Sequence, residues 1–330
     1  MENLKEYFRG KGYQPVDYFG SVGMTGADCV RSLNQEPCFF ESSFFSILKV
    51  TGNDRQSYLN GQTSNDILKL SPGCGHSSSL NTPKGKTLSL LNIFQTEDAF
   101  YLQYPTFAHE KLLEQLNLYL FTEDVVLEPI SNSFSVTFPG RKSLDAISNR
   151  LKLEPVEDSH YQILVSEGYL ILVGKLLNIP SLTIFELVNK SLKIPDGFKP
   201  ICTNFLETQR IFNLYPMAQI EYEFEKTLTP ELDQENIISY SKGCFVGQEV
   251  FARIRTYGRT NRMLAAMVFP DDEKESLKGL EILVNGSSRG TITSDIKYGS
   301  QIHALGYLPT AHKTIGGEVQ AGNLTGKIIA

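Results

Sequence analysis

Five cysteines are scattered over 330 residues, and no two of them form a Cys-x-x-Cys pair. Cys29, Cys38, Cys74, Cys202 and Cys244 are odd in number, which argues against a disulfide framework. Their spacing also argues against a thiolate zinc site or a self-contained cluster motif. His76, His109, His160, His303 and His312 lack metal-ligand spacing too, so no resident metal is expected. No apolar run nears the ~20 residues of a membrane span, so no membrane partner is expected. Basic residues are not in excess: 31 Lys and Arg stand against 37 Asp and Glu, for a net charge of −6. There is thus no global electrostatic case for nucleic acid. Residues 1–12 mix Glu2, Lys5, Glu6, Arg9 and Lys11 and lack the apolar core of a secretion signal. With the unpaired cysteines, this points to a reducing, cytoplasmic home. No internal repeat or low-complexity segment is visible.

What is present is an ordinary globular composition, 41% hydrophobic and 21% charged, in a chain long enough for two or three domains. Residues 1–37 are polar, with Gly20, Gly23 and Gly26 closely spaced, and read as a leader. Phe44 to Val50 reads as a strand. Thr51-Gly52-Asn53-Asp54 then supplies a turn and cap for a short helix, Arg55 to Gly61. Ser77 to Asn81 and Thr87 to Gln95 flank the turn Pro83-Lys84-Gly85-Lys86, and Ala99 to Tyr104 follows as a strand. Leu112, Leu113, Leu116 and Leu120 have helical spacing. Strands are expected at Val125–Ile130, Phe134–Phe138, Tyr161–Val165 and Tyr169–Val173, and helices at Ser143–Leu151 and Asn204–Asn213. Pairs of strands broken by single helices are an α+β order, not the alternation of a parallel sheet. After Met263 the texture changes to short strands with an Asn285-Gly286 hairpin turn, the pattern of a small antiparallel barrel.

Residues 218–235 hold six acids against Lys226, and residues 242–262 hold five cations against Glu249. Two such blocks either pair with each other or leave an electropositive rim for a polyanion. The second block opens on the most informative stretch of the chain, Lys242-Gly243-Cys244-Phe245-Val246-Gly247-Gln248-Glu249. It places one thiol between glycines, beside a lysine and just ahead of a helix-like run. A thiolate is stabilised by a neighbouring cation and by a helix N-terminus, which makes such a cysteine reactive.

This stretch resembles the K-G-C-[YF]-x-G-Q-E signature of the YgfZ family of folate-binding proteins, relatives of the aminomethyltransferase known as the glycine cleavage T-protein. Seven positions fit, and Val246 is the free one. Residues 50–73 resemble the opening of the same superfamily. Several roles follow from the resemblance. Ile184-Phe185-Glu186-Leu187 is similar to a T-protein pattern whose glutamate binds the pterin, and a carboxylate suits the two N–H groups of its 2-amino-pyrimidinone edge. The tyrosine expected seven residues earlier is Ile179 here. Glu207-Thr208-Gln209-Arg210-Ile211 is similar to an element whose arginine meets the folate glutamate, and Arg210 keeps the planar fork. Lys84, Gln248 and Glu249 complete the folate-contacting set, while Cys244 and Lys242 form the reactive pair, the lysine lowering the thiol's pKa.

One family feature is missing. Aminomethyltransferases carry two aspartates shortly after the Lys-Gly element, and one of them positions the folate nitrogen. Those places fall on Ser89 and Leu90, so no carboxylate is there to orient the nitrogen or assist a proton. The resemblance therefore implies a T-protein-like fold of antiparallel sheets with flanking helices and a C-terminal β-barrel. The expected layout is a leader at 1–40, a folate-binding region of two subdomains at 41–262, and the barrel at 263–330. The implied function is a tetrahydrofolate-binding accessory factor for assembly or repair of iron–sulfur enzymes, whose partners are folate and those enzymes or cluster-assembly proteins. The alternatives are a tetrahydrofolate-dependent aminomethyltransferase and, with local charge alone behind it, an RNA-contacting module.

Overall fold

The computed structural model describes residues 33, 35–130, 134–153, 161–166, 168–187, 194–201, 203–234, 236–258, 260–271 and 276–330. The chain divides into two compact units. The first comprises residues 1–61, 65–78 and 90–206; the second comprises 62–64, 79–89 and 207–330. This partition is discontinuous in sequence. It gives the tip of one hairpin and all of 207–261 to the unit that holds the barrel, whereas the expected layout put them in a region ending at residue 262. Of the expected leader, residues 1–32 and 34 lie outside the described residues, and Cys38–Glu41 is already a strand.

The first unit runs β1 (Cys38–Glu41), β2 (Phe45–Thr51), α1 (Arg55–Gln62), β3 (Gly75–Asn81), β4 (Thr87–Gln95), β5 (Phe100–Pro105), α2 (His109–Leu118), β6 (Val126–Ile130), β7 (Ser135–Pro139), α3 (Gly140–Leu151), β8 (Gln162–Ser166), β9 (Tyr169–Leu176), β10 (Ile179–Glu186) and β11 (Lys199–Pro200). It builds two sheets, ordered β3-β4-β5-β2-β6 and β11-β1-β7-β10-β9-β8. β1 pairs parallel with β11 and antiparallel with β7. Leu144 and Ile147, one helical turn apart on α3, pack with Phe39, Phe138, Val173, Leu182 and Ile184 of the six-stranded sheet. β4 and β5 are enclosed on both faces, which is why Leu88 to Phe94 reads as a nearly continuous apolar run instead of alternating.

The second unit carries the greater part of α4 (Thr203–Phe212), from residue 207 on, and α5 (Gln248–Tyr257), β12 (Arg262–Pro270), β13 (Glu281–Val284), β14 (Ser287–Tyr298), β15 (Gln301–Pro309), β16 (Glu318–Ala321) and β17 (Leu324–Ile328). The six strands close into a barrel in the order β12-β15-β14-β13-β16-β17. Ala265, Met267, Phe269, Ile282, Ile292 and Val319 fill its interior. Asn285 and Gly286 both have positive φ, 51° and 73°, the geometry of a primed hairpin turn. Gly290 is required by crowding, because a Cβ there would lie 1.8 Å from the Tyr307 carbonyl oxygen. No helix among the described residues is long and apolar enough to cross a membrane.

Candidate functional site

The Lys242–Glu249 stretch is a loop leading into α5, and its buried and exposed residues divide the work. Lys242 is buried, and its Nζ donates to the Thr63 carbonyl at 2.7 Å while lying 5.0 Å over the Phe245 ring. Phe245 is buried against Phe251 of α5, with ring centroids 5.8 Å apart. Cys244 sits between these two anchors and is exposed. The sequence reading gave Lys242 the task of tuning the thiol. The structure instead uses its ammonium to fasten the loop, since a carbonyl partner and a ring face are what a desolvated cation needs.

Gly247 caps α5 with φ 89°, and a Cβ there would meet the Thr82 carbonyl oxygen at 2.9 Å and the Gly85 Cα at 3.1 Å. Gly85, with φ 69°, has Phe251 and Val250 of α5 at 3.0 and 3.1 Å from its virtual Cβ. Two glycines thus let the Pro83-Lys84-Gly85-Lys86 turn dock against the cysteine loop. That turn is closed by Thr82 and Gly85 backbone bonds, the Thr82 N–H donating to the Lys86 carbonyl at 2.9 Å. Below it, Thr229 donates to Asn81 at 2.5 Å and bonds Thr87 at 2.9 Å, all three buried. Lys84, Glu249 and Cys244 are exposed on this rim, and Gln248 is half-buried. Nothing in the structure explains Gly243, whose virtual Cβ meets open space.

Arg210 corrects another expectation. Its side chain is 0% exposed, and all five N–H donors are used inside the chain. Nε and Nη2 form the fork to Glu207; Nη1 donates to Glu221 at 2.9 Å and to the Tyr215 carbonyl at 3.0 Å; Nη2 also donates to Ser294 at 2.9 Å. Glu221 is equally enclosed and further accepts from the Met217 N–H, Thr293 and Ser294. The planar fork is kept, as the sequence suggested, but it is spent on joining α4 to β14. A fully committed, fully enclosed guanidinium has no donor left for a folate carboxylate.

Among the described residues the opposite-charge blocks pair at one place, Arg262 with Glu231 at 3.1 Å, whereas Asp233 is met by Lys313 and Arg255 lies 4.7 Å over the Tyr240 ring. Arg253 and Arg255 are exposed on α5.

Glu186, in the first unit, closes β10. Its backbone N–H donates to the Phe134 carbonyl at 2.8 Å, and Tyr169 is its cross-strand partner. The residue is only 6% exposed, yet its Oε1 is buried with no hydrogen-bond partner. Burial, and secondarily the Glu186 charge, push the Tyr169 phenol up. A buried carboxylate oxygen without a donor is costly, by about 1–3 kcal/mol or more for a charged group, and such an atom marks a place for a donor to arrive. Ile179, at the far end of β10, is buried as a core residue. The aspartate positions, Ser89 and Leu90 on β4, are both enclosed and supply no carboxylate. Among the described residues no group of His, Cys, Asp and Glu could hold a metal.

This architecture is that of the T-protein. The structure of the glycine cleavage system aminomethyltransferase T from Bartonella henselae matches all of this chain and 96% of its own, with a TM-score of 0.78 and 16% identity. Relatives by sequence narrow the class. A chloroplastic Arabidopsis thaliana protein, provisionally named a transferase, is 27% identical over 297 residues, 85% of this chain and 67% of that one. The "tRNA-modifying protein YgfZ" of Aliivibrio fischeri strain MJ11 is 26% identical over 235 residues, 68% of this chain and 69% of its own. The protein of that name from Colwellia psychrerythraea is 22% identical over 232 residues, 69% and 71%. No family model matches. With the Lys-Gly-Cys loop built as described, the chain has the T-protein fold and is similar to the YgfZ proteins.

Proposed function

We propose that this chain binds tetrahydrofolate and serves iron–sulfur enzymes as an accessory factor in their assembly or repair. The observation that carries the folate half is the orphaned Glu186 oxygen. The 2-amino-pyrimidinone edge of a pterin offers two adjacent N–H donors, which fit a carboxylate whose own neighbours leave one oxygen unmet. Glu186 would hold that edge. Lys84, Gln248 and Glu249 remain candidate ligand contacts by resemblance alone, and Arg210 is withdrawn from the set. Cys244 carries the second half. It is an exposed residue on a loop anchored by Lys242 and Phe245, so a partner can reach it without unfolding its support. One thiolate does not hold a cluster alone, since four ligands are usual, so Cys244 acts together with a partner's groups.

The competing reading, an aminomethyltransferase, needs a group to move a proton at the folate nitrogen, and Ser89 and Leu90 offer none. Contact with a transfer RNA draws on the names of the bacterial relatives and on exposed Arg253 and Arg255 beside the cysteine loop. Filter binding across a salt series tests it: a steep fall in affinity with salt supports it, and no retention of transfer RNA at low salt ends it.

Calorimetry with tetrahydrofolate tests the principal reading. Wild type binds, and Glu186→Gln weakens binding by about 1.5–3 kcal/mol, the scale of hydrogen bonds to a charged group. A folded Glu186→Gln protein with wild-type affinity removes Glu186 from the site. For the second half, a deletion strain is complemented with wild type or Cys244→Ser. Lost iron–sulfur enzyme activity with the serine variant is expected, and full complementation makes Cys244 dispensable.

A further inference from the structure

Among the further orphaned polar groups of the first unit, one on β5 has chemistry opposite to that of Glu186 and an orientation that its neighbours fix. Gln103, on β5, is 4% exposed, and its Nε2 is buried with no hydrogen-bond partner. Its orientation is fixed by a chain of four side chains. Asn92 on β4 stands directly across from Gln103, so the two amides share one face of the sheet. Asn92 Nδ2 donates to the Lys175 carbonyl at 2.8 Å, which only a donor can do. The same nitrogen donates to Gln103 Oε1 at 3.0 Å. Asn92 Oδ1 in turn accepts from Ser77 Oγ at 2.8 Å. Having spent its one proton there, Ser77 must accept from Tyr161 Oη, 2.6 Å away. Burial raises the Tyr161 phenol, which keeps its proton at neutral pH.

Every link therefore points the same way, from Tyr161 through Ser77 and Asn92 to Gln103. The glutamine is forced to present its NH2 group, not its oxygen, at the end of the chain. Aligned bonds of this kind polarise one another, so the terminal N–H is a stronger donor than an isolated amide. A buried donor without a partner is costly, and an acceptor that reaches it recovers that cost. Leu90, where a carboxylate is missing, lies on the same face two residues from Asn92.

We infer that Gln103 is a specificity-determining residue that recognises a carbonyl oxygen on the ligand, so that the protein prefers a formylated folate to unsubstituted tetrahydrofolate. This rests on the folate reading above and deepens it. A formyl group adds the acceptor that the Gln103 amide lacks. The unsubstituted ring nitrogen carries a hydrogen and one amine lone pair, a weaker acceptor than a formyl oxygen.

The test is calorimetry with two probes, 5-formyltetrahydrofolate and tetrahydrofolate. Wild type is expected to bind the formyl compound tenfold or more tightly than the other. Gln103→Met, similar in volume and without a donor, should reduce that preference to twofold or less. Its affinity for tetrahydrofolate should stay within threefold of wild type. Asn92→Asp is a second variant at a half-buried position. It removes the donor that fixes the glutamine, so the Gln103 amide turns its N–H toward the new carboxylate and its oxygen outward. The formyl preference should then vanish or invert. Equal affinity of wild type for both probes shows the donor to be met by water and overturns the inference while leaving folate binding intact. So does a formyl preference that survives in both variants. Failure of wild type to bind either probe overturns the inference and the folate reading together.

Discussion

Arg210→Ala is the perturbation that best separates a ligand contact from a structural one. The substitution deletes five donated hydrogen bonds and two ion pairs. The two carboxylates left behind differ. Glu207 is 21% exposed and can turn to water, so its loss is modest. Glu221 is 0% exposed and stays enclosed with the Met217 N–H, Thr293 and Ser294 as its remaining donors. Removing one partner of a buried pair typically costs 3–5 kcal/mol, mostly because the other charge stays desolvated. Against a typical total of roughly 5–15 kcal/mol, that is a large share. The expected value for Arg210→Ala is therefore about 3–5 kcal/mol, most of it owed to Glu221.

The assay is urea unfolding followed by circular dichroism, with hydrogen exchange read by mass spectrometry to locate the loss. Exchange should accelerate in α4 and in β14, the elements that the guanidinium ties together. Arg210→Met combined with Glu221→Gln removes both charges and keeps an acceptor for Ser294, so it should recover half or more of the lost stability. A destabilisation below about 1 kcal/mol would refute the reasoning. If tetrahydrofolate affinity also fell tenfold or more in that well-folded variant, Arg210 would return to the ligand site.

Three further outcomes follow from other parts of the structure. Iodoacetamide at neutral pH should label Cys244 and Cys74, both exposed, well before Cys38, whose thiol burial pushes up to about 11 against a small opposing effect from Ser143; early labelling of Cys38 in native protein by mass spectrometry would show that strand β1 opens. Gly247→Ala places a Cβ 2.9 Å from the Thr82 carbonyl oxygen at φ 89°, so it should cost about 1–3 kcal/mol in urea unfolding and speed exchange in the 82–86 turn, and an unchanged midpoint would leave the docking argument without support. Burial lowers the pKa of His303, which packs 4.2 Å from the Phe212 ring, so the folded state holds its proton less tightly than the unfolded one. Stability from that histidine is complete above the ordinary value of 6.5 and drains as pH falls below it, and His303→Asn should flatten the melting-temperature profile between about pH 6.5 and 5.

The regular elements were legible because each carried a local signal. The Leu112–Leu116 spacing, the Gly52-to-Asp54 turn and the Asn285-Gly286 hairpin each specify backbone geometry over a few residues, and each lies where the structure has α2, the start of α1 and the β13–β14 turn. The strands that escaped notice had weaker marks. β10 contains Pro180 and follows β9 through Leu177 and Asn178, two non-glycine residues with positive φ, so neither a turn glycine nor alternation announces it. β16 and β17 are four and five residues long and close a barrel whose register only the other strands define.

The site was legible in residue type but not in duty. Lys242, Arg210 and the motif glycines all stood out, because cations and glycines are informative wherever they cluster. Their tasks depend on partners far away in sequence: Thr63 for Lys242, Ser294 for Arg210, and Thr82 for Gly247. No window of adjacent residues contains that information. Gln103 is the limiting case, a lone amide in an apolar strand with nothing local to distinguish it.

That difference has a consequence for how the motif is read. If Lys242 existed to activate the thiol, Lys242→Arg would preserve most of its effect, because the charge remains. If it exists to fasten the loop, the change is severe. A guanidinium is broader than an ammonium and does not fit a site framed by the Thr63 carbonyl and the face of Phe245. Lys242→Met tests the other side, since it keeps the aliphatic stem and removes the charge. On the fastening account, Lys242→Met removes the bond to the Thr63 carbonyl and loosens the loop, while the intrinsic alkylation rate of Cys244 holds or rises with its exposure. On the activation account that rate falls. Measuring the alkylation rate and hydrogen exchange of residues 242–248 in the same variant therefore assigns the lysine, and a falling rate with unchanged exchange would restore it to the reactive pair.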